Sequence, residues 1–263
     1  MADTSHDKTA FVAELVLSKR RLVEFSIKLA NTPGAITQIA SILSKHKVNI
    51  ENGFHNPGEW GFFADVTEIE SSVDDVAKEL SDLPIVSKVS LGKEVSEGII
   101  VDTLHQQLVW GPFRTIIMRA DVMTSILNRV QSIFGANGKA GKTIIFGMGE
   151  ASGRHFYKGL AGRMNTHSLR PRIDDVIGLY MADGWGDFKL TNLDLNGITA
   201  TVTVLNGFEC AEISSHSSSC DFVRGHLAGV FSEMYGKRVH VTETLCVSRG
   251  HAKCQFDVSE AKQ

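Results

Sequence analysis

The sequence predicts an α+β protein of two domains: a ferredoxin-like unit over 21–93 and a larger α/β domain over 99–263 that closes on a cysteine-bearing hairpin. Three observations predict it. Apolar runs between 21 and 93 follow the order strand, helix, strand, strand, helix, strand, which is the ferredoxin-like arrangement. A glycine-bounded stretch at 94–98 reads as a linker. Beyond it helical and strand patterns mix, and all four cysteines fall between 210 and 263.

The 263 residues are 43% hydrophobic and 22% charged, a composition able to bury a core, and the net charge is −3. That balance predicts no direct nucleic-acid contact and no acidic membrane surface as partner. No apolar run is long enough to suggest a membrane span. Residues 1–20 form a tail and lead-in, polar at the start and without the pattern of a secretory signal, so a cytoplasmic location is expected. In a reducing compartment clustered cysteines favour metal ligation over disulfides.

The first unit opens with a strand containing Leu22, Phe25, Ile27 and Leu29, which stops at the turn Asn31-Thr32-Pro33-Gly34. Ile36, Ile39, Ala40 and Leu43 then follow at helical spacing. Strands are expected over 48–54, 60–66 and 85–91, with a helix over 73–83. Residues 21–93 resemble an ACT domain, a regulatory module for amino acids and other small ligands. The resemblance lies in Asn31 to Ile36 and in Val48-Asn49-Ile50-Glu51. It implies a ligand site at Asn31, Gly34, Ala35 and Asn49 and self-association as a homodimer. Gly34 would let a ligand approach the backbone, and the helix that starts there offers free amides to a carboxylate. The same turn also serves a module that only dimerises.

In the second domain helices are expected over 116–134, 153–164, 173–182 and 220–235. Strands are expected over 143–146, 188–190, 198–205, 237–245 and 253–258, with a hairpin turn at Asn196-Gly197. Residues 136–143, Ala-Asn-Gly-Lys-Ala-Gly-Lys-Thr, fit a relaxed phosphate-loop pattern. A working phosphate loop follows a strand and opens a helix, whereas here a helix precedes and a strand is expected to follow. The glycines of Gly147-Met148-Gly149 and Gly153 are expected to form a tight strand-to-helix connection rather than a dinucleotide site.

Cys220 would open a helix, Glu243 and Cys246 end a strand, and Cys254 begin the next, with Gly250 folding the hairpin between them. Three thiolates and one carboxylate can fill a zinc tetrahedron, and buried structural cysteines are the alternative. Residues from about 100 to 258 resemble a 4-vinyl-reductase domain. The resemblance rests on Cys220, Gly225-His226-Leu227-Ala228-Gly229, Gly236-Lys237-Arg238, Glu243-Thr244-Leu245-Cys246 and Gly250 to Cys254. It implies zinc held by Cys220, Glu243, Cys246 and Cys254, with an apolar ligand pocket beside it. Cys210 has no place in that ligand pattern and reads as a buried thiol. Among the histidines, His216, His226 and His240 read as surface or satisfied side chains, and His167 does not align with the family's ligand-holding histidine.

Phe208, Tyr180, Trp185 and Phe222 are the expected pocket lining, with Asn206, Glu209 and Glu212 as polar groups. The implied function is small-molecule sensing, for an apolar or aromatic ligand and an amino acid at the ACT-like unit, with output through a regulatory partner protein. A reductase acting on a tetrapyrrole or hydrocarbon would need a redox cofactor, for which no convincing site is legible. A dimeric adaptor is the third reading.

Overall fold

A computed structural model describes residues 14–17, 19–92, 99–105, 108–110, 113–134, 139–162, 168–210 and 220–261. The contacts divide the chain into two compact units, 1–116 and 117–263. The expected linker at 94–98 lies outside the described residues.

The first unit starts with a short strand, β1 (Glu14–Val16). After it β2 (Leu22–Leu29), α1 (Ala35–Lys45), β3 (Asn49–Asn56), β4 (Glu59–Asp65), α2 (Val73–Ser81) and β5 (Val86–Gly92) follow the expected order. The sheet order is β3-β4-β2-β5, every neighbouring pair antiparallel, which is ferredoxin-like topology. Strand periodicity sends Phe25, Ile27 and Leu29 into a core with Ile39 and Leu43 of α1 and Val76 and Leu80 of α2. Ser72 and Asp75 cap α2 reciprocally.

The other sheet face is also covered, which moves the unit boundary. β1 pairs with β6 (Ile99–Val101), and Ile100 is buried against Leu22 and Phe63. Thr103 donates its backbone N–H and hydroxyl to the buried Glu24 carboxylate at 3.1 and 3.2 Å. Residues 99–105 therefore belong to the first unit, as does a short hairpin of β7 (Leu108–Trp110) and β8 (Phe113–Thr115).

The second unit contains α3 (Ala120–Ile133), α4 (Lys139–Ala161), α5 (Leu169–Ala182), β9 (Asp187–Asp194), β10 (Thr199–Leu205), α6 (Asp221–Tyr235), β11 (Val239–Leu245) and β12 (Cys254–Glu260). Its antiparallel sheet has the order β11-β12-β10-β9. The expected strand over 143–146 is corrected: these residues lie inside α4. So does the Gly147 to Gly153 run, which is neither a strand-to-helix turn nor a dinucleotide loop. The buried positions of α4, Gly141, Ile145, Gly149, Gly153, Tyr157 and Leu160, recur at helical period with glycine as the contact residue. The phosphate-loop pattern does run into a helix, but α3 precedes it rather than a strand, so the context still fails.

Those glycines let α4 and α6 touch backbone to backbone. A Cβ on Gly149 would sit 2.1 Å from the Phe222 carbonyl oxygen, and one on Gly153 2.1 Å from that of His226. In return a Cβ on Gly225 would meet the Phe146 carbonyl oxygen at 2.1 Å, and one on Gly229 that of Glu150 at 2.2 Å. Two small-x-x-x-small pairs face each other, and residues 146–154 and 222–230 are locked in register. No helix among the described residues is long and apolar enough to cross a membrane.

Candidate functional site

The register of α4 on α6 places His226 between the two glycine contacts, turned into a ring cluster. Its imidazole lies 4.6 Å from the Trp185 ring, 5.4 Å from Tyr180, 5.4 Å from Phe156 and 6.3 Å from Phe222, centroid to centroid. Phe208 closes the group, 5.4 Å from Trp185 and 6.3 Å from Phe222. All four expected pocket residues, Tyr180, Trp185, Phe208 and Phe222, are thus brought together, but their rings fill the space between them. A separate cleft of about 670 Å³ is bordered by Phe146, Glu150, Arg224, Arg238 and His240 and contains none of them.

The expected polar groups go elsewhere. Asn206 donates to Asp187 at 2.7 Å on the surface. Glu209 is buried and caps α6 by accepting the Phe222 and Val223 amides, each at 2.8 Å. Glu212 and His167 lie outside the described residues. What the sequence reading missed is His226. Among the described residues neither of its ring nitrogens has a hydrogen-bond partner, and neither does the Tyr180 hydroxyl. The available signal was the Gly225-His226 and Gly229 spacing on an apolar helix, which puts a histidine where the partner backbone is closest.

Burial pushes the His226 imidazole down to about 3 and raises the Tyr180 hydroxyl well above the usual phenol range. At neutral pH the pair is therefore an uncharged imidazole and an intact phenol, one ring N–H, one ring acceptor and one O–H. Leaving such groups unsatisfied costs roughly 1–3 kcal/mol each. A pH dependence follows. The unfolded chain takes up a proton at His226 near pH 6.5 and the folded chain only near 3. The His226 contribution is full above about 6.5 and falls as pH drops, by about 2 kcal/mol at pH 5. Urea unfolding at pH 7 and 5 should show this loss in the wild type and not in His226→Phe. An equal pH response in both would remove His226 as its source.

The second feature adjoins the first through Cys220, which precedes α6. The Sγ atoms of Cys210, Cys220, Cys246 and Cys254 all lie within 4.8 Å of one another, and all four residues are buried. The spacings are 3.8 Å for Cys220–Cys246, 3.6 Å for Cys220–Cys254, 3.9 Å for Cys246–Cys254 and 3.2 Å for Cys210–Cys254. A tetrahedral zinc with bonds of about 2.3 Å needs sulfur edges of about 3.8 Å. The triangle Cys220, Cys246, Cys254 has that size. Both carboxylate oxygens of Glu243 are buried with no hydrogen-bond partner among the described residues. Burial, then the neighbouring Cys246, pushes the Glu243 carboxyl up to about 9, while contact with Cys210 drives Cys246 and Cys254 toward thiolate. An orphaned carboxylate beside buried thiolates is a donor set that fits a divalent cation. Cys210 belongs to the cluster, contrary to its reading as an unrelated thiol.

The ACT-like residues do not gather. Gly34, with φ +84°, and Ala35 open α1, whereas Asn49 begins β3 beyond its far end and donates to Glu51 at 2.6 Å. Eleven helical residues separate the two ends by roughly 16 Å. Asn31 is exposed beside Gly34.

The fold and the cysteine centre define the class. The vinyl-4-reductase domain family matches residues 200–260, from β10 through β12. An uncharacterized protein of Methanocaldococcus jannaschii is 39% identical over 51 residues, 19% of this chain and 32% of its own length, so this chain spans about a third of that relative. The phenol-responsive sensory domain of the transcription activator PoxR, solved with phenol, aligns with TM-score 0.52 and 16% identity over 59% of this chain and 80% of that one, which shows a shared fold. A vinyl-4-reductase family protein from Methanocaldococcus jannaschii aligns with TM-score 0.39 and 20% identity over 56% and 85% of the two chains.

Proposed function

We propose that this chain is a small-molecule-sensing regulatory protein whose second unit takes up a compact apolar or aromatic ligand beside a structural zinc. The observation that carries the reading is the Tyr180–His226 pair, whose buried polar atoms lack hydrogen-bond partners among the described residues, inside a shell of aromatic rings. A ring-sized guest with one hydroxyl would meet an acceptor at His226 and a donor at Tyr180, and its apolar body would replace ring-to-ring contacts. Entry requires Phe208 and Trp185 to turn aside. Phe208 lies at the margin of the shell, where its backbone carbonyl is held by the Thr124 hydroxyl at 2.8 Å. The zinc, bound by Cys220, Cys246 and Cys254 with Glu243, fixes the start of α6 and so the wall that carries Phe222 and His226. The PoxR sensory domain, of the same fold, was solved with phenol, which agrees with this reading. A homodimer built on the ACT-like unit and an output to a partner protein complete the proposal.

Phenol is the first probe. Titrated into the full chain, it should quench Trp185 fluorescence saturably, and the change should vanish in Trp185→Phe. His226→Phe should weaken it roughly 10-fold or more, the loss expected when one buried hydrogen bond is removed. Native mass spectrometry should find a retained apolar molecule or none. A co-purifying flavin or nicotinamide would instead establish the reductase reading. The absence of both a saturable phenol response and a retained molecule would leave the ring cluster as an ordinary core.

A further inference from the structure

We propose that Cys210 is a reserve thiol set against the metal centre, and that it makes zinc retention redox-dependent. The inference rests on the zinc reading above and concerns a residue outside its ligand set. Five donors converge where zinc takes four: Cys210, Cys220, Glu243, Cys246 and Cys254. Geometry separates them. The three sulfur pairs among Cys220, Cys246 and Cys254, at 3.6 to 3.9 Å, have the edge length of a zinc tetrahedron. Cys210 sits 3.2 Å from Cys254, about 0.6 Å too close to be a fourth vertex beside it. The fourth vertex then falls to Glu243, whose buried carboxylate has no other partner among the described residues. Cys210 stands outside the coordination sphere with its sulfur nearly touching a ligand sulfur.

That position has a chemical consequence. A hydroperoxide oxidises the Cys254 thiolate to a sulfenate, the O–O bond breaking as the S–O bond forms and the peroxide leaving as an alcohol or water. The Cys210 thiol then attacks the Cys254 sulfur, the S–O bond breaks and water departs with the thiol proton. Two thiols have lost two electrons, one peroxide has gained them, and a Cys210–Cys254 disulfide remains. Closing the gap from 3.2 Å to a bond of about 2.05 Å asks for a side-chain adjustment rather than a backbone one. The disulfide removes Cys254 from the triangle, and two thiolates and a carboxylate hold zinc poorly. Without Cys210, a sulfenate at Cys254 has no partner at that distance and proceeds to irreversible oxidation.

The test uses the full-length, zinc-loaded protein and hydrogen peroxide. Wild type should release about one zinc per chain to a chromophoric chelator. Non-reducing peptide mapping should find Cys210 joined to Cys254, and dithiothreitol with added zinc should restore the metal. Cys210→Ser should bind zinc at the same stoichiometry, release it roughly 10-fold more slowly and not recover it after reduction. Zinc retained under peroxide, or released without that disulfide, would overturn the proposal. So would a Cys210→Ser protein unable to bind zinc, which would make Cys210 an obligatory ligand. Untreated wild type that contains no zinc would instead overturn the zinc reading on which this one rests.

Discussion

Gly149→Ala should lower the unfolding midpoint of the second unit by about 10 °C, although alanine is the better helix former. The new methyl carbon would lie 2.1 Å from the Phe222 carbonyl oxygen and 2.9 Å from the His226 nitrogen, both backbone atoms that cannot rotate away. α4 and α6 must separate, and the contacts at Gly153, Gly225 and Gly229 open with them. Overpacking of this kind costs roughly 3 kcal/mol, against about 1 kcal/mol gained in helix propensity. Each kcal/mol is worth about 4 °C in a unit of this size. Gly147 is the control on the same helix. It is exposed, and nothing lies within 4 Å of a Cβ placed there. Gly147→Ala should therefore raise the midpoint by a few degrees, through propensity alone. Thermal unfolding of the two variants side by side decides the matter: equal and small shifts would mean the helices are not in backbone contact. Because His226 sits between the glycine contacts, Gly149→Ala should also abolish the phenol response.

Cys246→Ser should reduce zinc from about one per chain to near zero and lower the midpoint by more than about 10 °C. Cys246 is fully buried at one corner of the sulfur triangle, and a serine hydroxyl does not replace a thiolate. The loss is large because metal binding is folding free energy when the site does not exist in the unfolded chain. Added zinc should raise the midpoint of the wild type in proportion to the logarithm of its concentration and leave the variant unmoved. Wild type stripped by a chelator should melt with the variant. If stripped wild type melts where the loaded protein does, the cysteines are core thiols and the centre carries no stabilising ion.

Local order and type are legible in the sequence wherever side chains do the packing. The alternation of Phe25, Ile27 and Leu29 and the helical spacing of Ile39 and Leu43 set the element order of the first unit, because one face of each element must be apolar. The step pattern from Cys220 to Cys254 likewise points to convergent donors. The reading fails where the packing atom is a hydrogen. Gly149 and Gly153 read as chain breaks because glycine is a poor helix former, yet in α4 they are the interface, and only the position of α6 reveals it. Ile144-Ile145-Phe146 suggests a strand for the same reason: its helical period runs through glycines that a hydrophobicity pattern does not count. Spatial coincidence is equally hidden. Nothing in the order of residues places Cys210 at 3.2 Å from Cys254, 44 positions away, or His226 against Tyr180. The sequence determined which elements form and which donors are available, since both follow from local pattern. The tertiary structure alone decided which groups share one buried volume, because that depends on how closely two helices approach, and here four missing side chains set that distance.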